Sequence, residues 1–299
     1  MTTHAASRSN LEPTSLPDGE AVISVRGLEF AYSAGNQILC GLNFDIYKGE
    51  FVAIVGANGS GKSTLVNNFT GLLSPDKGQV VINGHDTKTT KTSTLAREIG
   101  YVFQNPDHQL FCNTVTEEVG FSLRNLSVPE EDVQRRIQET LEIVGMAQLR
   151  DRHPFSLSRG QRQKLAVATA LIDEPPVILL DEPTTGQDRQ SLANLLELMT
   201  MLNKKGNTTV MVTHDMDIVA AYATRVIVLS KGQIVMDGHP SDVFYDQYEA
   251  LAALNLRPPT VIDFCRKLEP RGVPRCLTVD ELTTFIKEVK EKSRSHIPS

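Results

Sequence analysis

The sequence contains no hydrophobic run long enough to cross a lipid bilayer. Its longest unbroken aliphatic stretches, such as Val177–Leu180, are far shorter than the roughly 20 apolar residues that a transmembrane helix needs. Residues 1–20 are polar and lack the apolar core of a secretory signal. We therefore expect a loose N-terminal tail and a chain that stays in the cytoplasm.

Positive charge and closely spaced cysteines are also scarce. The 299 residues include 30 lysines and arginines against 36 aspartates and glutamates, a net charge of −6, so the whole chain has no cationic field that would gather nucleic acid. The cysteines form no C-x-x-C pair and have no histidine at metal-ligand spacing. We expect reduced thiols at Cys40, Cys112, Cys265 and Cys276.

The hydrophobic pattern that is present predicts an α/β fold. Phe51–Val55 is a continuous apolar run, which is typical of a strand buried on both faces of a parallel sheet. Later runs of the same kind, separated by helical stretches, are Val177–Leu180, Val210–Thr213 and Val226–Leu229. Ile23–Phe30 and Leu42–Tyr47 alternate between apolar and polar residues instead, which predicts an antiparallel β layer at the N-terminus.

The pattern also predicts the domain organisation. Residues from about 113 to 173 contain three helix-like segments and no strand candidate, as expected of an inserted helical subdomain. A capping box at Thr278–Glu281 opens a further helix near the C-terminus. We expect a flexible tail over residues 1–20, a main domain over 21–240 and a small C-terminal domain over 241–299.

A phosphate-binding motif follows the first buried strand. Gly56–Ser63 matches the pattern G-x-x-x-x-G-K-[ST] between a predicted strand and a predicted helix, which argues against a glycine-rich turn that binds nothing. Such a loop, or P-loop, directs backbone N–H groups at phosphates, and Lys62 adds a positive charge while Ser63 offers a hydroxyl to Mg²⁺. The predicted nucleotide-contacting residues here are Gly56, Ala57, Asn58, Gly59, Ser60, Gly61, Lys62, Ser63 and Thr64.

Two carboxylates end a later buried strand. Asp181 and Glu182 follow Val177–Leu180 at the edge where open α/β sheets place their ligands. Asp181 suits Mg²⁺, and Glu182 could polarise an attacking water. A simple strand-ending turn is the alternative, and the upstream P-loop favours the chemical role.

These motifs, in this order, make residues of about 22–240 resemble the ATP-binding-cassette (ABC) ATPases. Further residues that match the family are Leu157–Gln161 (its L-S-G-G-Q signature), Gln104 (its Q-loop), Thr185–Asp188 (its D-loop), His214 (its switch histidine) and Tyr32 (its adenine-stacking aromatic). The resemblance implies a P-loop NTPase fold with an antiparallel β subdomain, a RecA-like core, a helical subdomain and a small C-terminal domain.

The same resemblance implies ATP hydrolysis with Mg²⁺ at a shared site. It assigns catalytic roles to Glu182, His214, Gln104 and Lys62, and metal binding to Ser63, Gln104 and Asp181. In the family's architecture the signature helix cannot reach the P-loop of its own chain. Ser158, Gly160 and Gln161 would therefore contact the ATP of a second subunit, and ATP binding would close the dimer.

The signature departs from the family at one position. Arg159 occupies the first glycine of L-S-G-G-Q, whereas Gly160 is kept and is expected to approach phosphate closely. Two roles remain open for Arg159, an outward-pointing side chain or an added charge near the γ-phosphate. We expect Arg159→Gly to leave ATPase activity within a few fold, and a collapse to background would make the arginine catalytic.

Two features indicate a transport ATPase. The short interval between Gln104 and Ser158 excludes the long coiled coils of chromosome-structure and DNA-repair relatives, and a single cassette disfavours the translation factors with two. Phe103–Phe111 with Thr114–Val119 resembles the Q-loop region of the energy-coupling factor (ECF) importers of cobalt and vitamins. The C-terminal stretches that resemble the same group are Leu256–Thr260, Gly272–Pro274 and Leu277–Leu282.

That resemblance implies a peripheral protein on the cytoplasmic face of the membrane. The implied partners are a second ATPase subunit, identical or different, a transmembrane coupling protein and a small membrane substrate-binding subunit, and no nucleic acid. Residues 104–118 would form the docking groove, unless Gln109, Leu110 and Phe111 pack internally. The alternatives are the ATPase of a conventional importer with a solute-binding protein, and a soluble ABC ATPase without a transport role.

Overall fold

The structure is a computed structural model that describes residues 19–33, 35–185 and 187–294. Most of the predicted tail over residues 1–20, namely 1–18, therefore lies outside the described residues. In the described part the strands are β1 (Ala21–Ala31), β2 (Gln37–Tyr47), β3 (Phe51–Val55), β4 (Lys77–Ile82), β5 (His85–Asp86), β6 (Ile99–Val102), β7 (Val177–Asp181), β8 (Thr208–Val212), β9 (Arg225–Ser230) and β10 (Gln233–Gly238).

The described helices follow the same chain order. They are α1 (Lys62–Phe69), α2 (Thr92–Glu98), α3 (Val115–Asn125), α4 (Glu130–Ile143), α5 (Arg159–Leu171), α6 (Arg189–Lys204), α7 (Met216–Tyr222), α8 (Tyr248–Ala253), α9 (Thr260–Leu268) and α10 (Val279–Arg294). Within the described ranges none of these helices has the length and apolar character that a membrane span requires.

The strands form two sheets. One is antiparallel, in the order β2-β1-β4-β5. The other has the order β10-β9-β3-β8-β7-β6, and all its neighbours are parallel except the edge strand β10. β3 lies inside this sheet with all five residues buried, because both of its faces are covered. The predicted α/β fold with an antiparallel β layer is confirmed.

Side-chain clusters cover both faces of the large sheet. One lies between the two sheets and includes Phe44, Ile54 and Phe69. On the opposite face, helices α3 to α6 contribute side chains such as Leu141 and Leu165. Residues 113–173 contain only α3, α4, α5 and short 3₁₀ turns, so no strand interrupts this stretch. The helical stretch thus lies against the sheet that carries the candidate site.

The C-terminal stretch packs on one face of the large sheet, over β3, β9 and β10. A π-helical turn over Asp242–Asp246 and helix α9 bury Phe244 and Ile262 in a cluster with Val228 of β9. All four cysteines are free thiols, and Cys265 and Cys276 are buried in this region. Thr278 Oγ1 accepts a hydrogen bond from Glu281 N near the start of α10, as the capping pattern predicts.

A buried arginine joins the sheets beside this region. Arg225 of β9 donates to Asp237 of β10 through two nitrogens at 2.6 and 2.7 Å, and to the Asp45 carbonyl of β2 at 2.9 Å. Glu50 lies 3.4 Å from the same guanidinium. The acidic neighbours raise the Arg225 pKa against the opposing effect of burial. This charge is therefore satisfied inside the protein.

Candidate functional site

A cavity of about 330 Å³ lies where β3 and β7 end. It is lined by three separate parts of the chain: the strand connection near residue 32, the P-loop with α1, and the ends of β6, β7 and β8. The lining residues are Tyr32, Ile38, Asn58, Gly59, Gly61, Lys62, Ser63, Thr64, Gln104, Asp181, Glu182 and Val212. The fold thus brings most of the predicted nucleotide, metal and catalytic residues to one place.

Glycine is required at both ends of the loop between β3 and α1. A Cβ atom on Gly56 would lie 2.2 Å from the Leu229 carbonyl oxygen of β9, so the close approach of β9 admits no side chain. Gly61 has a φ of 108°, a backbone conformation that other residues rarely adopt, and it precedes α1 without a side-chain cap. The first N–H groups of α1 therefore point into the cavity without a capping side chain.

Lys62 places a buried positive charge beside these groups. Its side chain is 8% exposed, and Nζ donates to the carbonyl oxygens of Gly56 at 2.8 Å and Ala57 at 3.2 Å. Burial lowers the Lys62 pKa, and the nearby carboxylates Glu182 and Asp181 oppose that change. The hydroxyl of Ser60 is buried and has no hydrogen-bond partner among the described residues. Ser60 does not line the cavity, whereas the ammonium and the N–H groups at the start of α1 do, and they fit a polyphosphate.

Asp181 is held by a residue that the sequence analysis missed. The Tyr101 hydroxyl donates to Asp181 Oδ2 at 3.1 Å. Burial raises the Asp181 pKa, while the tyrosine hydrogen bond lowers it; burial and Asp181 together raise the Tyr101 pKa. Tyr101 belongs to β6. The apolar run around it, just before Gln104, was the sequence feature that could have predicted this strand.

The donor atoms in the cavity suit Mg²⁺. Ser63, Gln104 and Asp181 bring hydroxyl, amide and carboxylate oxygens to one lining, the hard ligands that this ion prefers. In the described ranges, no three His, Cys, Asp or Glu side chains are grouped so that they could hold a metal ion. A cation here would need phosphate oxygens or water as well, which is the usual arrangement for Mg²⁺.

Glu182 lines the same cavity as Asp181 and contacts His214. Its φ is +46°, rare for a residue with a side chain, and its N–H donates to the Val212 carbonyl at 2.8 Å. Glu182 Oε2 lies 2.7 Å from His214 Nδ1. His214 does not line the P-loop cavity but an adjoining one of about 680 Å³, which Arg257 also lines. The two predicted catalytic side chains therefore interact directly at the junction of two cavities.

Tyr32 stands at the outer edge of the P-loop cavity. Its side chain is 60% exposed, and its hydroxyl lies 3.3 Å from Thr64 Oγ1. The ring meets Phe30 edge to face with a centroid separation of 5.1 Å. A flat ligand can reach the exposed face of the ring, as adenine stacking requires.

The signature residues lie outside this cavity. Ser158 Oγ accepts from Gln161 N at 3.3 Å and Ser158 N donates to Gln161 Oε1 at 2.9 Å, which completes the capping box of α5. A Cβ atom on Gly160 would lie 2.3 Å from Ser191 Oγ and 2.9 Å from Ser191 Cβ, so packing against α6 favours glycine there. Gly186 of the predicted D-loop lies outside the described residues.

The predicted docking groove divides between buried and exposed side chains. Gln109 Nε2 donates to Thr169 Oγ1 at 2.9 Å, and Leu110 is buried, so these two pack internally. Phe111 is 62% exposed and contacts Phe121, itself 42% exposed, edge to face at 4.7 Å. Of the three residues, only Phe111 offers an apolar surface to a partner.

Comparison with known proteins identifies relatives along most of the chain. The ABC transporter family model matches residues 39–185. The energy-coupling factor transporter ATP-binding protein EcfA of Methanocaldococcus jannaschii is 40% identical over 277 residues, which cover 91% of this chain and 99% of that protein. An ABC transporter ATP-binding protein of Methanosarcina mazei is 44% identical over 255 residues, 85% of this chain. The chain spans only 43% of the length of that relative.

Solved structures agree with these matches. CbiO1 of Clostridium perfringens, described as part of the ABC transporter complex CbiONQ, superposes with a TM-score of 0.71 at 36% identity, over 81% of this chain and 97% of that one. The ATP-binding cassette MJ0796, described as a dimer in a post-hydrolysis state with ADP and Pi, gives a TM-score of 0.65 at 30% identity, over 73% of this chain and 98% of that one.

Proposed function

The chain belongs to the ATP-binding proteins of ABC transporters and is similar to those of the energy-coupling factor type, and on this premise we propose that it hydrolyses ATP to drive a membrane importer of a metal ion or vitamin. One observation carries the proposal. The P-loop, Gln104, Asp181 and Glu182 line a single cavity. The groups that would bind phosphate, hold a metal ion and orient water therefore lie together.

The reaction is an in-line attack of water on the γ-phosphorus of ATP. Lys62 and the N–H groups at the start of α1 neutralise the phosphate oxygens as negative charge builds up on them. Ser63, Gln104 and Asp181 would hold Mg²⁺, which would supply further positive charge to the phosphates when bound. Tyr32 stacks on the adenine and fixes the other end of the substrate.

Glu182 orients the attacking water. Its Oε2 accepts from His214 Nδ1 in the tautomer that carries a proton on that nitrogen, and Oε1 is assigned to the water. The 2.7 Å contact limits the freedom of the carboxylate, as a group that aligns a nucleophile requires. His214 can donate to the γ-phosphate through Nε2 at the same time only as an imidazolium, which carries a proton on each ring nitrogen.

Two chains enclose each ATP. Support comes from the position of Ser158, Gly160 and Gln161, which do not line the P-loop cavity of their own chain. The start of α5 offers N–H groups to the γ-phosphate bound by a second subunit, identical or different. ATP then favours the closed dimer because both sets of contacts exist only there, and hydrolysis allows it to reopen.

The transmembrane coupling protein docks at Phe111 and Phe121. These two exposed rings lie beside the Gln104 region and the helical stretch, so a docked helix would be coupled to the cavity through Gln104. An apolar, amphipathic helix of the partner fits such a surface. The coupling protein in turn holds a small membrane substrate-binding subunit, and the chain itself is peripheral to the membrane on its cytoplasmic face.

Purification of the tagged chain from membranes in mild detergent, followed by mass spectrometry, tests the transport assignment. Recovery of a multi-span coupling protein and a small membrane substrate-binding protein is the expected result, and the latter would narrow the substrate. Two similar permeases with a solute-binding protein would reassign the chain to a conventional importer. Only cytosolic partners would overturn the transport role and leave the ATPase site standing.

A further inference from the structure

Arg159, the residue that departs from the family signature, contacts the D-loop of its own chain. Its Nη2 donates to the Thr185 carbonyl oxygen at 2.8 Å. Arg159 is the first residue of α5, whereas Thr185 lies four residues after the end of β7. A glycine at position 159 has no side-chain donor and could not make this bond.

Thr185 is also linked to Glu182. The Thr185 N–H donates to the Glu182 carbonyl at 3.3 Å, and the Gln187 N–H donates to the Thr184 carbonyl at 3.3 Å. These turn hydrogen bonds leave the Thr185 carbonyl to face α5. The backbone of Thr185 is therefore bonded twice: its carbonyl accepts from the Arg159 side chain, and its N–H donates to the Glu182 carbonyl.

The far end of the same segment is fixed separately. Asp188 caps α6 by accepting from Ser191 N at 2.9 Å and Ser191 Oγ at 2.7 Å. Gly160 packs directly against Ser191, so the start of α5 and the start of α6 touch. Among the described residues, the Arg159 hydrogen bond joins Thr185 to α5, and Gln187 of the same segment lies next to Gly160 of α5.

From this geometry we propose that Arg159 is a positioning residue that couples the signature helix to Glu182 through Thr185. The inference rests on the proposed function, in which the signature helix contacts one ATP of the dimer and Glu182 acts on the other. Closure around one ATP would then bias the carboxylate at the second site, so the two hydrolysis events become coupled.

Amide hydrogen exchange on the nucleotide-free chain tests the hydrogen bond between Arg159 and Thr185 itself. Arg159→Ala should raise exchange at the Thr185 and Gln187 amides about fivefold, the factor expected for loss of one exposed hydrogen bond, and leave the P-loop unchanged. Alanine is used because glycine would add backbone freedom of its own. Arg159→Lys, which keeps one donor, should restore protection. Arg189→Ala, at an exposed arginine of the same region, is the matched control and should exchange as the parent does.

Steady-state kinetics of the same variants test the coupling. Arg159→Ala should lower kcat about two- to fivefold, keep KM for ATP within twofold and reduce the Hill coefficient toward one, and lysine should restore all three toward the parent. Loss of activity to background would make Arg159 catalytic, and parental exchange with parental kinetics would show that the contact has no role; both would overturn the inference. If the unaltered chain fails to hydrolyse ATP, the proposed function is wrong. Hydrogen exchange still measures the hydrogen bond between Arg159 and Thr185 in that case.

Discussion

Single residues around the P-loop cavity depend on close neighbours for their roles. Glu182 adopts a φ of +46°, which costs a residue with a side chain about 1 kcal/mol or more. Its N–H bond to the Val212 carbonyl and its carboxylate contact with His214 offset that strain. The two adjacent carboxylates have different partners, Tyr101 for Asp181 and His214 for Glu182, which fits the separate metal and water roles that we propose for them.

Tyr32 gives a prediction for nucleotide affinity at the residue scale. Tyr32→Ala should weaken ATP binding by about 1–2 kcal/mol, the usual contribution of stacking one base on an aromatic ring, and change kcat little. Titration calorimetry measures the affinity. Tyr32→Phe keeps the ring and removes only the 3.3 Å contact with Thr64, so it should bind as the parent does. Equal affinities for the alanine variant and the parent would show that adenine lies elsewhere.

The sequence predicts some of these residues better than others. The P-loop residues are predictable because their motif is local and the chemistry needs each residue type at a fixed spacing. Tyr101 is not, because its hydroxyl reaches Asp181 only through the pairing of β6 with β7 across 80 residues of sequence. The Glu182–His214 contact likewise depends on β7 lying beside β8, although each residue was predicted separately.

Elements, rather than residues, determine which surfaces remain available to partners. Leu110 and Phe111 are adjacent, yet Leu110 is 4% exposed and Phe111 is 62% exposed, because the chain here is a loop between a 3₁₀ turn and α3 rather than one amphipathic helix. The sequence left internal packing and docking open as alternatives. In this loop Leu110 packs internally and Phe111 is exposed. Hydrophobic periodicity applies to helices and strands, so it does not predict which of two adjacent loop residues is buried.

Phe111→Ala separates docking from folding. We expect ATP binding and thermal stability to be kept, since the ring is exposed, and association with membranes that contain the partner to fall at least severalfold. Flotation of membranes on a density gradient measures the association. Phe264→Ala removes another exposed ring, on α9, and should float as the parent does. A misfolded Phe111→Ala product would favour a packing role instead.

Arg225, which links β2 of one sheet to β10 of the other, gives a prediction for the stability of the protein. Arg225→Ala leaves the partly buried Glu50 and the more exposed Asp237 without their guanidinium partner, which should destabilise the protein by about 2–3 kcal/mol in urea unfolding. Arg26→Ala removes an exposed arginine, whose ion pair with Asp45 should contribute less than about 1 kcal/mol. Equal losses for the two variants would show that burial of the Arg225 network does not matter.

At the scale of the whole molecule, the two regions to which we assign nucleotide contacts lie apart on one chain. The P-loop cavity holds the groups proposed for binding and hydrolysis, and the start of α5, which Ser158 caps, does not line that cavity. The sequence predicted the fold class, which is confirmed, since strand and helix patterns are local. The sharing of a site between chains stays a prediction, because no local pattern specifies the partner that completes a surface.

The oligomeric state of Glu182→Gln with ATP tests this account most directly. The substitution keeps the shape of the side chain and removes the carboxylate that orients water, so ATP should be bound, hydrolysed slowly and retained in a closed dimer. Light scattering after size exclusion should give twice the mass of one chain with Mg-ATP, and the mass of one chain when Lys62→Ala is added. A Glu182→Gln chain that stays monomeric with ATP, or hydrolyses it at the parental rate, would contradict the account.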